Sequence, residues 1–152
     1  SYLPQPEKRL FSLSDLLHNL EELLQTNFQE NNISFTLRCS PEPMMTEGDE
    51  KQLSQVFLNL LKNAMQALEG HPHGELSLQA EQDEYIVIDI TDNGPGIPPE
   101  IMDKVFIPFF TTKSEGTGIG LSLCKEIIRR HEGHLAIKES RAGKTVFHIE
   151  LP

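Results

Sequence analysis

Apolar residues recur at helical spacing in two long stretches of the chain. Leu16, Leu17, Leu20, Leu23, Leu24 and Phe28 make the first, with Ser14 as its expected N-cap. The second opens at Asp49, where Asp49 and Gln52 have capping-box spacing, and runs to about Leu68. Its Leu53, Val56, Phe57, Leu60, Ala64 and Leu68 fall on one stripe. A third helix is expected over 120–131, and a short one over 99–106. Period-two alternation predicts strands over 33–39, 75–82, 84–91, 134–139 and 145–151, and 8–12 has the look of a short strand. Residues 41–48, 70–74, 92–99 and 107–118 are predicted as loops, and Gly143 as a turn. Strands with helices between them and hairpins at the edge point to an α+β, two-layer sandwich: one mixed sheet with helices on one face.

The length of 152 residues suits one domain with its own core. Residues 1–6 carry two prolines and are expected to be a linker, leaving 7–152 as the domain. The net charge of −10 speaks against gripping a nucleic acid, which needs clustered Lys and Arg. It also repels polyanions at long range, so any nucleotide site must be built locally from a metal ion, backbone N–H groups and a few basic side chains. Cys39 and Cys124 have no metal-type spacing and suit a reducing compartment. No run approaches the length of a membrane span and no signal-peptide pattern opens the chain, so a soluble, cytoplasmic domain is expected, with a parent protein open to anchoring elsewhere.

The second helix has another face. Gln52, Gln55, Asn59, Asn63 and Gln66 lie within about 80° of one another. A solvated helix face is normally charged, whereas this one is neutral amide. Asn is a poor helix former because its side chain competes for the backbone, so Asn59 and Asn63, one turn apart, suggest a task. An amide oxygen is a hard, neutral ligand suited to Mg²⁺, which takes the rest of its shell from water and phosphate oxygens.

The loops extend this picture. Asp92 continues the parity of Ile86, Ile88 and Ile90. Two readings of it stand level: a buried carboxylate waiting for a ligand amine such as that of adenine, or the cap of the turn Asp92-Asn93-Gly94. Gly94 and Gly96 permit close backbone approach to a ligand. Gly116-Thr117-Gly118-Ile119-Gly120-Leu121 leads into the third helix, where exposed N–H groups and the helix dipole suit phosphate. Between them, Phe106 is assigned to the core. Phe109 and Phe110 are expected to anchor a lid whose Thr111, Thr112 and Lys113 reach phosphates.

Taken together, these segments resemble the boxes of the histidine-kinase catalytic and ATP-binding domain, in the family's order. Residues 55–64 (QVFLNLLKNA) resemble the N box and 92–97 (DNGPGI) the G1 box. Residues 106–113 (FIPFFTTK) resemble the F box, 116–121 (GTGIGL) the G2 box, and 143–147 (GKTVF) the closing strand. The resemblance implies a Bergerat (GHKL) fold with an ATP lid. It implies ATP or ADP as ligand, Mg²⁺ at Asn63, the adenine amine at Asp92 and Thr145 beside adenine. The further contacts it implies are Asn59, Gln66, Ala67, Gly94, Gly96, Ile97, Phe110, Thr111, Thr112, Lys113, Gly116, Thr117, Gly118, Ile119, Gly120 and Leu121. Gln66-Ala67 stands where many members carry Lys-Tyr/His-type residues, which suggests the nitrogen-regulation or sporulation-type branch.

ATPases of the same fold, such as the gyrase B subunit, place a Glu one turn before the metal-binding Asn to activate water. Asn59 stands there and accepts no proton at neutral pH, which favours transfer over hydrolysis. The resemblance implies a phosphotransferase whose acceptor histidine lies on a separate two-helix dimerisation segment, with relay to a response-regulator aspartate. No acceptor is recognised in these residues, so no catalytic residue is assigned within them. His131, at the end of the third helix, is assigned as a C-terminal cation or surface residue. The same resemblance implies a homodimer for the full-length protein and a monomer for the domain alone. The rivals are a regulatory nucleotide-binding module without transfer activity and an ATPase.

Overall fold

The computed structural model describes residues 3–111 and 120–152. In chain order the elements are β1 (Arg9–Ser12), α1 (Leu13–Glu30), β2 (Ile33–Ser40), β3 (Met45–Gly48), α2 (Glu50–Ala67), β4 (Gly74–Gln82), β5 (Ile86–Asp92), a 3₁₀ turn (Pro99–Lys104), α3 (Gly120–Arg130), β6 (His134–Arg141) and β7 (Lys144–Leu151). Five strands form one sheet in the order β2-β4-β5-β7-β6. The β2–β4 pair is parallel and the other three pairs are antiparallel. This is the mixed, mainly antiparallel sheet that the alternation predicts.

One parity of the sheet is buried: Leu76, Leu78 and Ala80 on β4, Ile86, Ile88 and Ile90 on β5, Phe147, Ile149 and Leu151 on β7. These pack in one cluster with Leu16, Leu17 and Leu20 of α1, Val56, Phe57 and Leu60 of α2, and Cys124, Ile127 and Ile128 of α3. Each fully buried aliphatic or aromatic side chain contributes about 1.5–3 kcal/mol relative to exposure. α2 packs against both α1 and α3. The amide-bearing helix is therefore held on three sides, which fixes the direction in which Asn59 and Asn63 project.

Four expectations need correction. The first helix starts earlier, because Ser12, not Ser14, is the N-cap and accepts from the Asp15 N–H at 3.1 Å. Ser14 is instead buried, and its Oγ accepts from the Met44 N–H at 2.9 Å. That bond belongs to the second correction. The expected loop over 41–48 contains β3, which pairs antiparallel with β1 in a separate two-stranded sheet.

The capping box is half formed. Asp49 Oδ1 accepts from the Gln52 N–H at 3.1 Å, as the spacing predicts. The Gln52 side chain does not return the bond, because its Nε2 donates to the Pro4 carbonyl at 2.9 Å. The Asp49 N–H goes to the ring of His131 at 3.0 Å. His131 is the fourth correction. It is buried, and Nε2 accepts from Asp49 while Nδ1 donates to the Ile127 carbonyl at 2.8 Å, which makes it a neutral imidazole joining α3 to α2.

Candidate nucleotide site

β5 ends beside the start of β7, with Asp92 opposite Thr145 in register. Both are buried at 4% exposure, too dry for polar side chains without partners. Asp92 satisfies one oxygen locally: Oδ1 accepts from the Gly94 N–H at 2.9 Å. The turn-capping reading is thus realised, on a carboxylate buried on the same face of β5 as Ile86, Ile88 and Ile90. Burial pushes the Asp92 carboxyl above the ordinary aspartate range, and the Gly94 N–H works the other way. A hydrogen-bond donor arriving from a ligand would act in the same sense as that N–H.

The G1-like loop is tied down by neighbours from other elements. The Gly143 N–H donates to the Gly94 carbonyl at 2.8 Å, joining the β6–β7 turn to the loop. The Ile97 N–H donates to Ser140 Oγ at 2.8 Å, and Ser140 Oγ lies 3.4 Å from Thr145 Oγ1. Asn93 reaches outward, where its Oδ1 accepts from the Glu75 N–H at 2.7 Å. Gly96 has φ +86°, and a Cβ there would lie 2.6 Å from the Arg141 carbonyl oxygen. A Cβ on Gly94 would lie 3.1 Å from the Ala67 carbonyl oxygen, so the end of α2 sits directly over the loop.

On α2, Asn59 and Asn63 are both half-buried, whereas Gln66 is exposed. The Asn59 side chain hydrogen-bonds the thiol of Cys124, which also donates to the Val56 carbonyl at 3.7 Å. Burial pushes the Cys124 thiol up to about 12, the Asn59 bond opposing it, so this sulfur is an inert core group. Leu121 is half-buried against the core just after Gly120 opens α3.

Phe106 packs where expected, edge-on to Phe147 with centroids 6.3 Å apart and with the Lys125 ammonium 4.5 Å over its ring. Phe109 is 77% exposed, at φ +68°, and is not buried as an anchor among the described residues. Phe110 is half-buried and Thr111 exposed. Thr112, Lys113, Gly116, Thr117, Gly118 and Ile119 lie outside the described residues. The described cations nearest the loop, Arg141 and Lys144, are engaged with Glu139 at 3.0 and 3.4 Å.

The structure therefore brings together Ala67, Asp92, Gly94, Ile97 and Thr145, from the end of α2, β5, its following loop and β7, with Gly96 of that loop against Arg141. Asn63 and Asn59 lie one and two turns back along α2 from Ala67. Sequence reasoning missed Ser140, which joins Ile97 to Thr145. The strand register shifts between Ile137 and Glu139, so Lys138 is bulged out. Ile137 opposes core-facing Phe147, and after the bulge Ser140 opposes Thr145 on that same side. Simple alternation from Ile137 assigns Ser140 to the opposite face.

A sheet with helices on one face, a polar helix stripe and a carboxylate at the mouth of a glycine loop define a nucleotide-binding class of α+β domain. The family model described as "Histidine kinase-, DNA gyrase B-, and HSP90-like ATPase" matches residues 48–152, and the chain belongs to that family. Within it, the similarities run to sensor histidine kinases. The chain is 38% identical to Sporulation kinase C of Bacillus subtilis (strain 168), over 92% of this chain and 33% of that protein. It is 34% identical to the sensory histidine kinase/phosphatase NtrB of Rhodobacter capsulatus, over 97% of this chain and 44% of that protein. The chain thus spans less than half the length of these relatives.

The catalytic domain of histidine kinase ThkA, in a nucleotide-free form, superposes with a TM-score of 0.87 at 32% identity, covering 96% of this chain and 95% of that one. A structure of ThkA in complex with the response regulator protein TrrA matches with a TM-score of 0.80 at 30% identity, over 95% of this chain and 41% of that one. The domain is thus a histidine-kinase ATPase domain of the two-component sensor type. Among the described residues, no helix is long and apolar enough to cross a membrane.

Proposed function

We propose that this domain binds Mg·ATP in the cradle between α2, the loop after β5 and β7, and hands the γ-phosphate to a histidine on a helical segment of its full-length protein. The observation that carries the reading is Asp92, a buried carboxylate at the end of an isoleucine strand whose one hydrogen bond among the described residues comes from the Gly94 N–H. Adenine's exocyclic amine supplies the donor that such a group lacks, and guanine presents a carbonyl at that place. Asn63, a half-buried neutral amide on the facing helix, fits the donor chemistry of Mg²⁺. When bound, the ion supplies charge neutralisation across the phosphates.

Phosphoryl transfer needs positioning and electrostatics more than covalent help from the protein. Asn59 provides no base for water, so the acceptor is a side chain brought from outside the domain. Residues 1–6 connect to the segment that bears the acceptor, and 7–152 form the catalytic domain. The phosphohistidine passes its phosphate to a response-regulator aspartate, a reading supported by the ThkA complex with TrrA. The full-length protein works as a homodimer with this domain on the cytoplasmic side.

Calorimetric titration with ADP and GDP, each with and without Mg²⁺, tests the site. Saturable, Mg-enhanced ADP binding that Asn63→Ala removes is the expected result. Equal affinity for ADP and GDP would sink the adenine role of Asp92. Steady phosphate release from ATP by the domain alone would favour a hydrolase over a transferase.

A further inference from the structure

A second constellation lies away from the nucleotide cradle. His18 projects from α1, Cys39 from β2 and Glu42 from the turn that follows β2. One donor atom of each lies within 4.8 Å of the other two. Glu42 Oε1 accepts from His18 Nε2 at 2.8 Å, and Glu21, one turn along α1, has its carboxylate 3.7 Å from His18 Nδ1. Cys39 continues the core-facing parity of β2 and is only partly buried, so its sulfur sits under α1 at the edge of the core. The residues are spaced 21 and 3 apart in the chain, which is no metal motif, and only the packing of α1 on β2 unites them.

We propose that His18, Cys39 and Glu42 form a binding site for a borderline-soft divalent cation of the Zn²⁺ type. Thiolate, imidazole and carboxylate together suit such an ion and disfavour Mg²⁺ or Ca²⁺, which take oxygen donors. Bond lengths of about 2.0–2.3 Å place the ligand atoms of a tetrahedral zinc site roughly 3.3–3.8 Å apart. The observed cluster reaches that spacing if the His18–Glu42 hydrogen bond opens and the sulfur closes in slightly. The ion takes the Nε2 lone pair of His18 in its Nδ1–H tautomer, the single ring proton having moved from Nε2 to Nδ1 through solvent, and the thiol releases its proton to solvent as the metal–sulfur bond forms. Glu21 is then placed to accept from Nδ1–H, the orienting contact that metal-bound histidines usually have. His18 and Glu42 are both exposed, so the ion has an entry path and water completes its shell.

The register separates this site from the nucleotide cradle. Cys39 pairs with Ala80, which pairs with Ile88, while Asp92 ends the same strand four residues on. Cation binding is therefore expected to tie α1 to β2 without changing ADP affinity.

The test is titration of the reduced, metal-free domain with Co²⁺, followed by displacement with Zn²⁺. A saturable sulfur-to-cobalt charge-transfer band that Zn²⁺ abolishes is expected. His18→Asn and Cys39→Ser should each lose the band and weaken binding more than about tenfold. His71→Ala/His73→Ala should change neither, and unaltered circular dichroism should show that each variant folds. Binding that persists in both His18→Asn and Cys39→Ser, or no charge-transfer band at saturating Co²⁺, overturns the proposal.

Discussion

The loop after β5 and the stretch 105–111 are both short and belong to no helix or strand, yet they are built on opposite principles. The first is held by bonds from other elements: the Gly143 N–H to the Gly94 carbonyl, the Ile97 N–H to Ser140, and a Gly96 that fits only because it has no Cβ. The second begins on the Phe106–Phe147 contact and then makes local turns, the Ile107 N–H to the Lys104 carbonyl and the Phe110 N–H to the Ile107 carbonyl. Ile107 and Phe109 both point to solvent. One side of the cradle is thus preorganised by the fold. The other is held mainly by its own local turns, and we propose that it adjusts to the nucleotide it admits and releases.

If that contrast is right, backbone changes in the first loop should be severe. Gly96→Ala puts a β-carbon against the Arg141 carbonyl in a left-handed conformation. Strain and overpacking together should cost about 3 kcal/mol of stability, read as a lowered urea midpoint. A loss under about 1 kcal/mol would mean that the loop yields easily, and the contrast would fail.

Asp92→Asn separates the fold from the ligand. The amide oxygen can still accept from Gly94, so the turn survives. Ionised Asp92 is disfavoured by burial, its carboxyl being pushed up, so it costs stability that is absent below the unfolded value, grows as pH rises, and is complete above the folded value. The variant should therefore match or exceed the parent in stability at neutral pH, the gain vanishing in acid. ADP affinity should fall by about 2 kcal/mol, while GDP affinity should not fall. Equal losses for the two nucleotides would remove Asp92 from base recognition.

Asp49 marks a third kind of anchoring, at the end of α2 remote from the loop. Burial raises its carboxyl, but the Glu7, Gln52 and Lys51 N–H groups outweigh this and hold it below the ordinary aspartate value. A depressed carboxyl contributes stability that is complete above about pH 4 and lost as pH falls through the folded value. Asp49→Ala should cost about 1 kcal/mol near neutrality, as other lost N-caps do, and less in acid, with base selectivity unchanged. Chemical denaturation at several pH values checks it.

Much of this was legible because the signals were local. Periodicity located the three long helices and the five strands of the main sheet. The parity of Ile86, Ile88, Ile90 and Asp92 correctly buried the carboxylate. What failed was set by partners distant in sequence. β3 forms because β1 lies beside it, and residues 41–48 taken alone offer only turn chemistry. His131 reads as a surface cation, yet Asp49, at the start of α2, holds its ring neutral and buried. Ser140 reaches the site only because Lys138 bulges, a displacement that alternation cannot register. The Asp49–Gln52 spacing gave the correct cap but the wrong reciprocal bond, since the Asp49 N–H goes to the His131 ring instead.

The smallest expected effect is the most useful test of the looser side. Phe109 combines a left-handed backbone, which disfavours a bulky residue, with 77% exposure. Phe109→Gly relieves the conformational strain by about 1 kcal/mol. It also frees the unfolded chain, which works against stability by about 0.4–1 kcal/mol. With almost no buried side chain to lose, the two should nearly cancel, leaving the urea midpoint within about 0.5 kcal/mol of the parent. The same kind of exchange at Gly96, run in reverse, is expected to be several times larger. If Phe109→Gly instead destabilised the domain by more than about 1 kcal/mol, the stretch would be packed in solution against something that its exposure does not reveal. The contrast between a built side and an adaptive side of the cradle would then have to be given up.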